Sequence, residues 1–514
     1  MGRRSGRGRA RSVGIAAALA VVVGSAVGAR PPGDGRASPA SGGTSDERCL
    51  PVPADAPSAR EALHGAEVAM GASGPGPLVF RAVQRTVQDF QSDRTYPPFF
   101  ASFDIQEITY DPTTGAEHTE GRFVYPRMGP GSPTVRVVTT DAAFMVRAGD
   151  LVPAPFFLAN GRRTRRMNPW AVIRDWSARR DSVRVAGLCE WRDQLRLVLE
   201  APAEHGTERL FLDRDSGFPV GLARTVPHAI WGQQRVEYVW STWIGAEPGG
   251  WFPAASFRLT DGRVERERTV GTIGRVPADS LSLEPLPEAP PMTTDPWLEA
   301  YTGVPPDTVR VGEDAWLLTQ RMYNGGLVAV GDTVYVLDAT LNETRARQDA
   351  EWVERLFPGH RHVRVVVTDL AWPHVGGVRF WVARGATIVS HENSEPFLRR
   401  LVERRWTLRP DTLERARSGG LDFLPVPPEG LELGGGAVRL EPIDGIGAEG
   451  AVLAWIPGAS FLWAGDYIQM VDRPSLYAGE VIRAARREGI RPSRVAAQHV
   501  PLTEWDVVVE ANGG

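Results

Sequence analysis

The segment of residues 365–377 decides the fold, and its sequence is VVVTDLAWPHVGG. It begins with three valines, continues through a polar elbow at Thr368 and Asp369, and ends in the pair Gly376-Gly377. A run of β-branched residues is typical of a buried strand, and such a strand delivers the side chains after it to a site at its C-terminal edge. The segment therefore predicts a buried strand followed by a candidate site.

Residues 368–377 resemble the metal-binding signature of the metallo-β-lactamase-fold superfamily, T-H-x-H-x-D-H-x-G-G. The threonine, the last histidine (His374) and the two glycines match that frame. Three ligand positions differ, because they are occupied by Asp369, Ala371 and Pro373. The resemblance thus implies the superfamily's fold with a degenerate metal site.

The sequence around this segment alternates between predicted strands and helices. Strands are predicted at residues 326–330, 333–339 and 363–367, and helices at residues 343–357 and after Val378. This order resembles the first half of the superfamily's αββα sandwich, in which Asn324 and Asp338 match positions that shape the loops around the metals. The predicted fold class is therefore α+β, with the sandwich in residues 309–514.

Two further ligand positions of the superfamily match downstream. The resemblance places Asp466 after a strand that ends in Gly-Asp, and His499 after the last strand. His374, Asp466 and His499 would then form a residual second site for one zinc ion, because three protein ligands and a water compose a catalytic zinc site. In this interpretation His374 and Asp466 are the catalytic residues, and the zinc-bound water attacks an ester, lactone or amide carbonyl.

The first metal site of the superfamily has lost its imidazoles in this sequence. Its third histidine position falls at or beside Gly447, in a segment without histidine. An acidic set of Asp369, Glu449 and Asp466 is the remaining alternative there, and carboxylates suit a hard cation better than zinc. The matching strand at residues 385–391 ends in His391, which is interpreted as a residue that binds no metal.

Length and composition limit the classes of function. A chain of 514 residues exceeds one ordinary core and predicts two or more domains. The net charge of −4 provides no polycation for nucleic acid, so no nucleic-acid partner is predicted. All 58 basic residues are arginine, which keeps its charge anywhere in a fold.

The first residues have the pattern of an export signal. Residues 1–29 combine arginines, an apolar stretch and the small residues Val27-Gly28-Ala29, as in a cleaved signal peptide. An uncleaved membrane anchor is the alternative, because the apolar stretch is only slightly short for a span. Residues 30–48 are rich in Pro, Gly, Ser and Ala and are predicted to be a disordered tether. The protein is therefore expected in the periplasm or outside the cell, with no membrane contact except through the signal.

The two cysteines, Cys49 and Cys189, fit an exported protein. In an oxidising compartment they can pair and tie the mature N-terminus to the first domain. The alternative is two unpaired thiols.

Residues 49–274 have the pattern of antiparallel hairpins. Alternating strands are predicted near residues 103–110, 195–199 and 236–241, with a strand, turn and strand at 210–220. The turn from Asp213 to Pro219 resembles a turn in the curved antiparallel sheet of periplasmic lipoprotein carriers. This resemblance implies a sheet whose concave face can bind a small or lipid-like ligand. The alternative is that the aromatic residues of this half only fill a core. Residues 275–308 are Pro-rich and predict a linker.

Two functions of different classes follow from these patterns. One is an exported hydrolase of the superfamily with a single metal at the residual site. The other is a catalytically inactive pseudoenzyme or binding protein without a metal, whose β domain captures an apolar ligand. Fold resemblance alone does not fix the substrate.

Overall fold

The computed structural model describes residues 49–71, 76–87, 99, 101–125, 129–154, 158–247, 249–277, 288, 303–321, 323–416, 419–445 and 449–513. The expected signal peptide and tether, most of the expected linker, and Gly447 lie outside the described residues. Residues 47–514 form one compact unit. The observed class is mixed α+β and rich in sheet, which confirms the coarse fold class predicted from the sequence.

The N-terminal half is one large antiparallel sheet, here called the N-terminal sheet. Fourteen strands belong to it within the described residues, in the spatial order β1-β8-β9-β10-β11-β12-β13-β14-β2-β3-β4-β5-β6-β7. The strands are β1 (Cys49–Leu50), β2 (Leu78–Val87), β3 (Ala101–Tyr110), β4 (Glu117–Tyr125), β5 (Gly129–Val138), β6 (Ala143–Arg147), β7 (Asp150–Pro153), β8 (Arg184–Trp191), β9 (Gln194–Ala203), β10 (Gly206–Leu212), β11 (Pro219–His228), β12 (Gly232–Gly245), β13 (Trp251–Thr260) and β14 (Arg263–Arg275).

Within the described residues, three α-helices accompany this sheet: α1 (Ala59–Met70), α2 (Leu158–Arg165) and α3 (Pro169–Ala178). Helix α1 begins with a capping box, in which Ser58 and Glu61 satisfy each other's backbone N–H groups. Apolar side chains of α1 and α3 form one core with one face of the sheet. The disulfide Cys49–Cys189 joins β1 to β8, which confirms the pairing considered from the sequence.

The C-terminal half contains two smaller sheets. The first has seven strands, β15 (Asp307–Arg310), β16 (Ala315–Gln320), β17 (Tyr323–Val330), β18 (Thr333–Leu337), β19 (His362–Val366), β20 (Thr387–His391) and β21 (Phe423–Val426). The second has six, β22 (Leu431–Leu433), β23 (Val438–Pro442), β24 (Val452–Ile456), β25 (Phe461–Trp463), β26 (Arg494–Ala497) and β27 (Val500–Glu504). Both counts refer to the described part of the chain.

Helices cover the outer faces of these two sheets. They are α4 (Glu343–Leu356), α5 (Trp372–Val375), α6 (Val378–Ala383), α7 (Glu395–Glu403), α8 (Thr412–Ala416), α9 (Leu476–Arg487) and α10 (Trp505–Ala511). One core lies between the sheets, a second between the first sheet and helices α4, α6 and α7, and a third between the second sheet and helices α9 and α10. The layers therefore run helix, sheet, sheet, helix.

The strand that the sequence predicted from its valines is β19. It pairs in parallel with β18 and β20, so it is central in its sheet and buried at its end. Gly376 and Gly377 pack very close to the segment that leads into α4. A Cβ atom on Gly376 would lie 1.9 Å from the Leu341 carbonyl oxygen, and one on Gly377 would lie 2.7 Å from the Ala346 Cβ. Only glycine fits there.

Side chains of the N-terminal half are buried in a core of the C-terminal half. Ile230 and Trp231, in the turn between β11 and β12, are buried in the core of helices α4, α6 and α7. The rings of Trp231 and Phe397 lie 5.1 Å apart, and Arg404 donates to the Trp231 carbonyl at 2.7 Å. This hairpin therefore joins the N-terminal sheet to the C-terminal layers.

Candidate functional site

Four loops meet at one edge of the paired C-terminal sheets, where the sequence predicted a site. Backbone hydrogen bonds fasten them together: Ala339 donates to the His374 carbonyl at 3.0 Å, Gln498 to that of Gly465 at 2.9 Å, and Asn324 to that of Gln498 at 2.8 Å. The side chain of Asn324 also donates to the carbonyls of Ala497 and Val500. The strand ends therefore bring residues 338, 368–374, 465–466 and 498–499 into one region.

Asp338 is the centre of a buried polar network at this edge. Its carboxylate accepts from the backbone N–H of Thr368 at 2.9 Å, from the Thr368 hydroxyl at 2.8 Å and from the indole Nε1 of Trp463 at 2.9 Å. The Nδ1 atom of His374 lies 2.9 Å from the same carboxylate. Asp338 has a φ of +66°, a left-handed conformation that Asp adopts more readily than most residues. The network links three strand ends without any exposed atom.

His374 is charged in this environment. Burial lowers its pKa, but the carboxylates of Asp338, Asp369 and Asp466 outweigh burial and raise the pKa to about 9. The imidazolium and the Asp338 carboxylate are both fully buried, so each depends on the other for compensation. His374 is thereby held as a cation at neutral pH.

The other two predicted ligands lie together beside this network. The Nε2 atom of His499 lies 3.3 Å from Asp466 Oδ1, and Gln469 donates to Asp466 Oδ2 at 3.1 Å. The ring of Tyr323 contacts the His499 ring edge-on at 5.1 Å and the Trp372 ring at 5.9 Å. The His499 side chain keeps 22% of its surface exposed, so this pair is the accessible part of the region.

At the three replaced ligand positions, Asp369 and Pro373 form hydrogen bonds that hold the local backbone, and Ala371 donates one of them. Asp369 accepts a hydrogen bond from the backbone N–H of Ala371, and both residues are buried. Pro373 lies in the first turn of α5, where proline is tolerated, and its carbonyl accepts from Leu341 and from the side chain of Gln498 at 2.9 Å each. Ala371 and Pro373 have no side-chain donor for a metal.

The three predicted zinc ligands lie in this region in two separate pairs. The Nδ1 atom of His374 contacts Asp338, which leaves its Nε2 atom without a hydrogen-bond partner among the described residues, and Asp466 contacts His499. Across the part of the chain that the structure describes, no group of three His, Cys, Asp or Glu side chains is placed to hold a metal ion. The acidic alternative of Asp369, Glu449 and Asp466 stays a prediction, and in this structure Asp369 accepts a hydrogen bond from the Ala371 N–H of its own turn. His391 accepts from the Asn393 N–H at 3.1 Å and caps a turn.

A second candidate site is a cavity of about 910 Å³ against the N-terminal sheet. Its lining comes from helices α2 and α3, from strands β10 to β13 and from Trp406 and Arg409 of the C-terminal half. The lining includes Trp176 and Tyr238, and eight arginines against three carboxylates. Sequence reasoning predicted a ligand face in this half but overlooked its charge, although the run Arg162-Arg163 with Arg165-Arg166 was visible in the sequence.

Sequence reasoning also overlooked Trp463 and Gln469, and it assigned Asp338 only a loop-shaping role. Thr368 lies 30 positions after Asp338, and Trp463 lies 95 positions after Thr368. A local sequence pattern therefore does not predict their contact. The single available signal was the strand-end position of each residue.

Comparison with known proteins gives structural similarity only. No protein-family model and no curated protein sequence matches the chain. Similar solved structures include the DIM-1 metallo-β-lactamase and metallo-β-lactamases from Pontibacter korlensis and Hirschia baltica. Each is 13% identical to this chain and has a TM-score of 0.32. The matched region covers 40% of this chain in each case, and 95%, 95% and 96% of the three structures, respectively. Similarity at this level carries no information about activity.

Among the described residues, no helix is long and apolar enough to cross a membrane.

Proposed function

We propose that the protein is an exported binding protein whose C-terminal half is a non-hydrolytic relative of the metallo-β-lactamase-fold superfamily. The observation that carries this proposal is the replacement of three ligand positions of the signature by Asp369, Ala371 and Pro373, in a chain whose described residues hold no group of three His, Cys, Asp or Glu side chains placed to bind a metal ion. The remaining histidine of the signature, His374, contacts Asp338. The degenerate signature thus belongs to a structural network.

The replaced ligand positions support this proposal. A catalytic zinc site uses at least three protein ligands, and the side chains of Ala371 and Pro373 have no atom that binds a metal. The Asp338 network also joins β18, β19 and β25, so it contributes to the stability of both C-terminal sheets.

The binding role is assigned to the cavity of the N-terminal sheet. Its volume lies within the 300–1,000 Å³ that is usual for small-molecule sites. Its lining combines apolar side chains with charged groups, as ligand sites do. No nucleic-acid partner is proposed, because the chain has a net charge of −4.

The metal content of the purified protein tests the non-hydrolytic assignment. After incubation with zinc and removal of loose metal on a chelating resin, we expect well under one zinc ion per chain by mass spectrometry. The variants His374→Ala and His499→Ala should hold the same background as the unaltered protein. Zinc near one ion per chain that disappears in both variants would overturn the assignment.

A single-metal hydrolase is the second candidate, and one observation favours it. The Nε2 atom of His374 is buried without a hydrogen-bond partner among the described residues, and the pair of Asp466 and His499 lies in the same region. This candidate requires stoichiometric zinc and ester or lactone hydrolysis that His499→Ala abolishes. The matched control is His362→Ala, because the His362 side chain is 66% exposed and lies at the start of β19.

Export rests on two features of the chain. Residues 1–29 have the pattern of a signal peptide, and the Cys49–Cys189 disulfide is characteristic of an oxidising compartment. Sequencing the N-terminus of the protein recovered from the producing cell tests this proposal. A mature chain that begins near residue 30 is expected, whereas an intact Met1 on protein retained in the cytoplasm would contradict it.

A further inference from the structure

The strand register of the N-terminal sheet places arginines opposite one another on its buried face. Tyr238 of β12 pairs with Arg258 of β13, and Arg258 pairs with Arg266 of β14. Directly paired residues point to the same face, and Tyr238 belongs to the core beneath α1 and α3. Arg258 and Arg266 are both buried. Like charges directly opposite each other destabilise a sheet. An anion bound near Arg258 and Arg266 would reduce this repulsion.

The guanidinium groups of this face also retain unused donors. Arg258 forms an ion pair with Glu265, and Arg266 donates to Asn160 at 3.2 Å. Even so, the Nε atoms of Arg224, Arg258 and Arg266 are buried without hydrogen-bond partners among the described residues. A buried donor left without an acceptor costs about 1–3 kcal/mol, and more when it is charged.

The carboxylates at the cavity do not balance its arginines. Glu208 contacts three of them, with Arg179 at 2.7 Å, Arg166 at 3.3 Å and Arg224 at 3.8 Å. The other two carboxylates of the lining, Asp175 and Glu204, are paired with Arg165 and Arg409. Arg163 lines the same cavity and has no ion-pair or hydrogen-bond partner within the described residues.

The electrostatic effect converges on the Tyr238 hydroxyl. Burial raises the pKa of Tyr238, but the guanidinium groups of Arg258, Arg166 and Arg224 outweigh burial and lower it. Burial and the neighbouring Arg163 lower the pKa of Arg258 to about 10, despite the favourable contact with Tyr238. The lowered pKa of Tyr238 is consistent with the arrangement of arginines around its hydroxyl.

Apolar side chains form another part of the lining. Trp176, Val172, Leu222 and Val226 line the cavity beside the arginines. A ligand with a charged end and an apolar end would therefore find a matching surface for each.

We propose that this cavity binds a phosphate-bearing amphiphile, with the phosphate beside Tyr238 among Arg163, Arg166, Arg224 and Arg258 and the apolar portion along Trp176, Leu222 and Val226. The proposal rests on the binding function proposed above. A phosphate group is preferred over a carboxylate because it offers three oxygens to guanidinium groups that arrive from different strands and helices. The source of the group, a lipid headgroup or a small phosphate ester, is left to the experiment.

Isothermal titration calorimetry of the full mature chain tests the proposal with four probes: octyl phosphate, inorganic phosphate, octanoate and octyl glucoside, all below their critical micelle concentrations. We expect octyl phosphate to bind one per chain and more tightly than each of the other three. Tighter binding of a long-chain phosphatidate than of octyl phosphate would point to a lipid headgroup, and equal binding to a small phosphate ester; either supports the phosphate assignment.

The variants assign the binding to the cavity. Arg224→Gln and Arg163→Gln should each weaken octyl phosphate binding roughly tenfold, the equivalent of one charge-assisted hydrogen bond. Arg163 is half-buried and lies outside the ion pairs, so its replacement keeps the fold intact even where Arg258→Gln, which removes the partner of Glu265, does not. The matched control is Arg81→Gln, because the Arg81 side chain is 73% exposed on β2 of the same sheet.

Three results would overturn the proposal. Octyl glucoside binding as tightly as octyl phosphate would remove the phosphate and leave the binding function standing. Unaltered affinity in Arg224→Gln and Arg163→Gln would place the ligand elsewhere. Absence of binding by every probe would overturn both this inference and the binding function, whereas the zinc measurement would remain independent of it.

Discussion

Both halves of the chain bury arginines, yet they satisfy them differently. In the C-terminal half, Arg345 donates from all three guanidinium nitrogens, to Asp349, Gln320 and the carbonyls of Leu318 and Tyr323. Arg379 does the same toward Asp411 and three carbonyls at the C-terminal end of α7. In the N-terminal sheet, Arg266 uses Nη2 and leaves Nε and Nη1 without partners among the described residues.

The difference separates two uses of buried charge. A guanidinium whose donors all find acceptors within the chain holds loops and helices in place, and its energy belongs to the folded state alone. A guanidinium with buried and unused donors keeps binding capacity for a molecule from outside. Four measurements on single-residue variants test whether this distinction is correct.

Replacement of Arg345 should cause the largest loss. Arg345→Met leaves Asp349 and several acceptors buried without a donor, and we expect the free energy of unfolding to fall by about 3–5 kcal/mol. Denaturant unfolding measures it. The control is Arg347→Met on the same helix, because its side chain is 57% exposed and its ion pair with Glu343 contributes at most about 1 kcal/mol. Equal losses in the two variants would contradict the distinction.

The pair of His374 and Asp338 should make stability depend on pH. The pKa of His374 is raised from 6.5 to about 9 in the folded chain, so its contribution is fully present below pH 6.5 and is lost as the pH rises through about 9. The loss should approach about 3 kcal/mol, from a shift of this size at 1.36 kcal/mol per pH unit. Unfolding measured from pH 6 to pH 10 should show this slope, and His374→Gln should lack it. A slope that is identical in the variant would show that His374 is not the group responsible.

Thr368→Val should have an intermediate effect. The substitution keeps the shape of the side chain but removes the hydroxyl that donates to Asp338 at 2.8 Å. A hydrogen bond to a buried charged group contributes about 1.5–3 kcal/mol, so a loss in that range is expected in chemical denaturation. Thr333→Val on β18 serves as the control, because its hydroxyl contacts Asp332 at 3.3 Å in an exposed position. A loss no larger than that of the control would show that the network is dispensable.

Arg266→Met should have the smallest effect on stability. It removes a like charge opposite Arg258 and three nitrogens of which only one has a partner, so we expect a change below about 1 kcal/mol in either direction. The comparison is with Arg345→Met under the same conditions. A loss as large as that of Arg345→Met would mean that the N-terminal arginines are structural after all, and would weaken the case for an anionic ligand.

The sequence predicted the elements whose pattern is local. The valines before Thr368 predicted β19, and the alternation near residues 103–110 predicted β3. The strand ends also pointed correctly to the edge where His374, Asp466 and His499 lie. The assignment of these three residues as metal ligands and the domain boundaries stay predictions.

What the sequence did not reveal depends on register and on distant partners. Arg224, Arg258 and Arg266 come from three strands, and only their alignment across β11 to β14 brings their charges together. A shift of one residue in any strand would turn an arginine to the other face. Trp463 reaches Asp338 only because β25 and β18 belong to facing sheets, which no spacing in the chain expresses.

The turn at Ile230 and Trp231 makes the two halves of the chain depend on each other. Its side chains complete the core of α4, α6 and α7, while neighbouring His228 and Gly232 line the cavity. Neither half is therefore complete without the other. A C-terminal half joined to a different N-terminal domain would expose the face of Phe397 that Trp231 covers. The two halves are expected to melt in one cooperative transition and to have been inherited together.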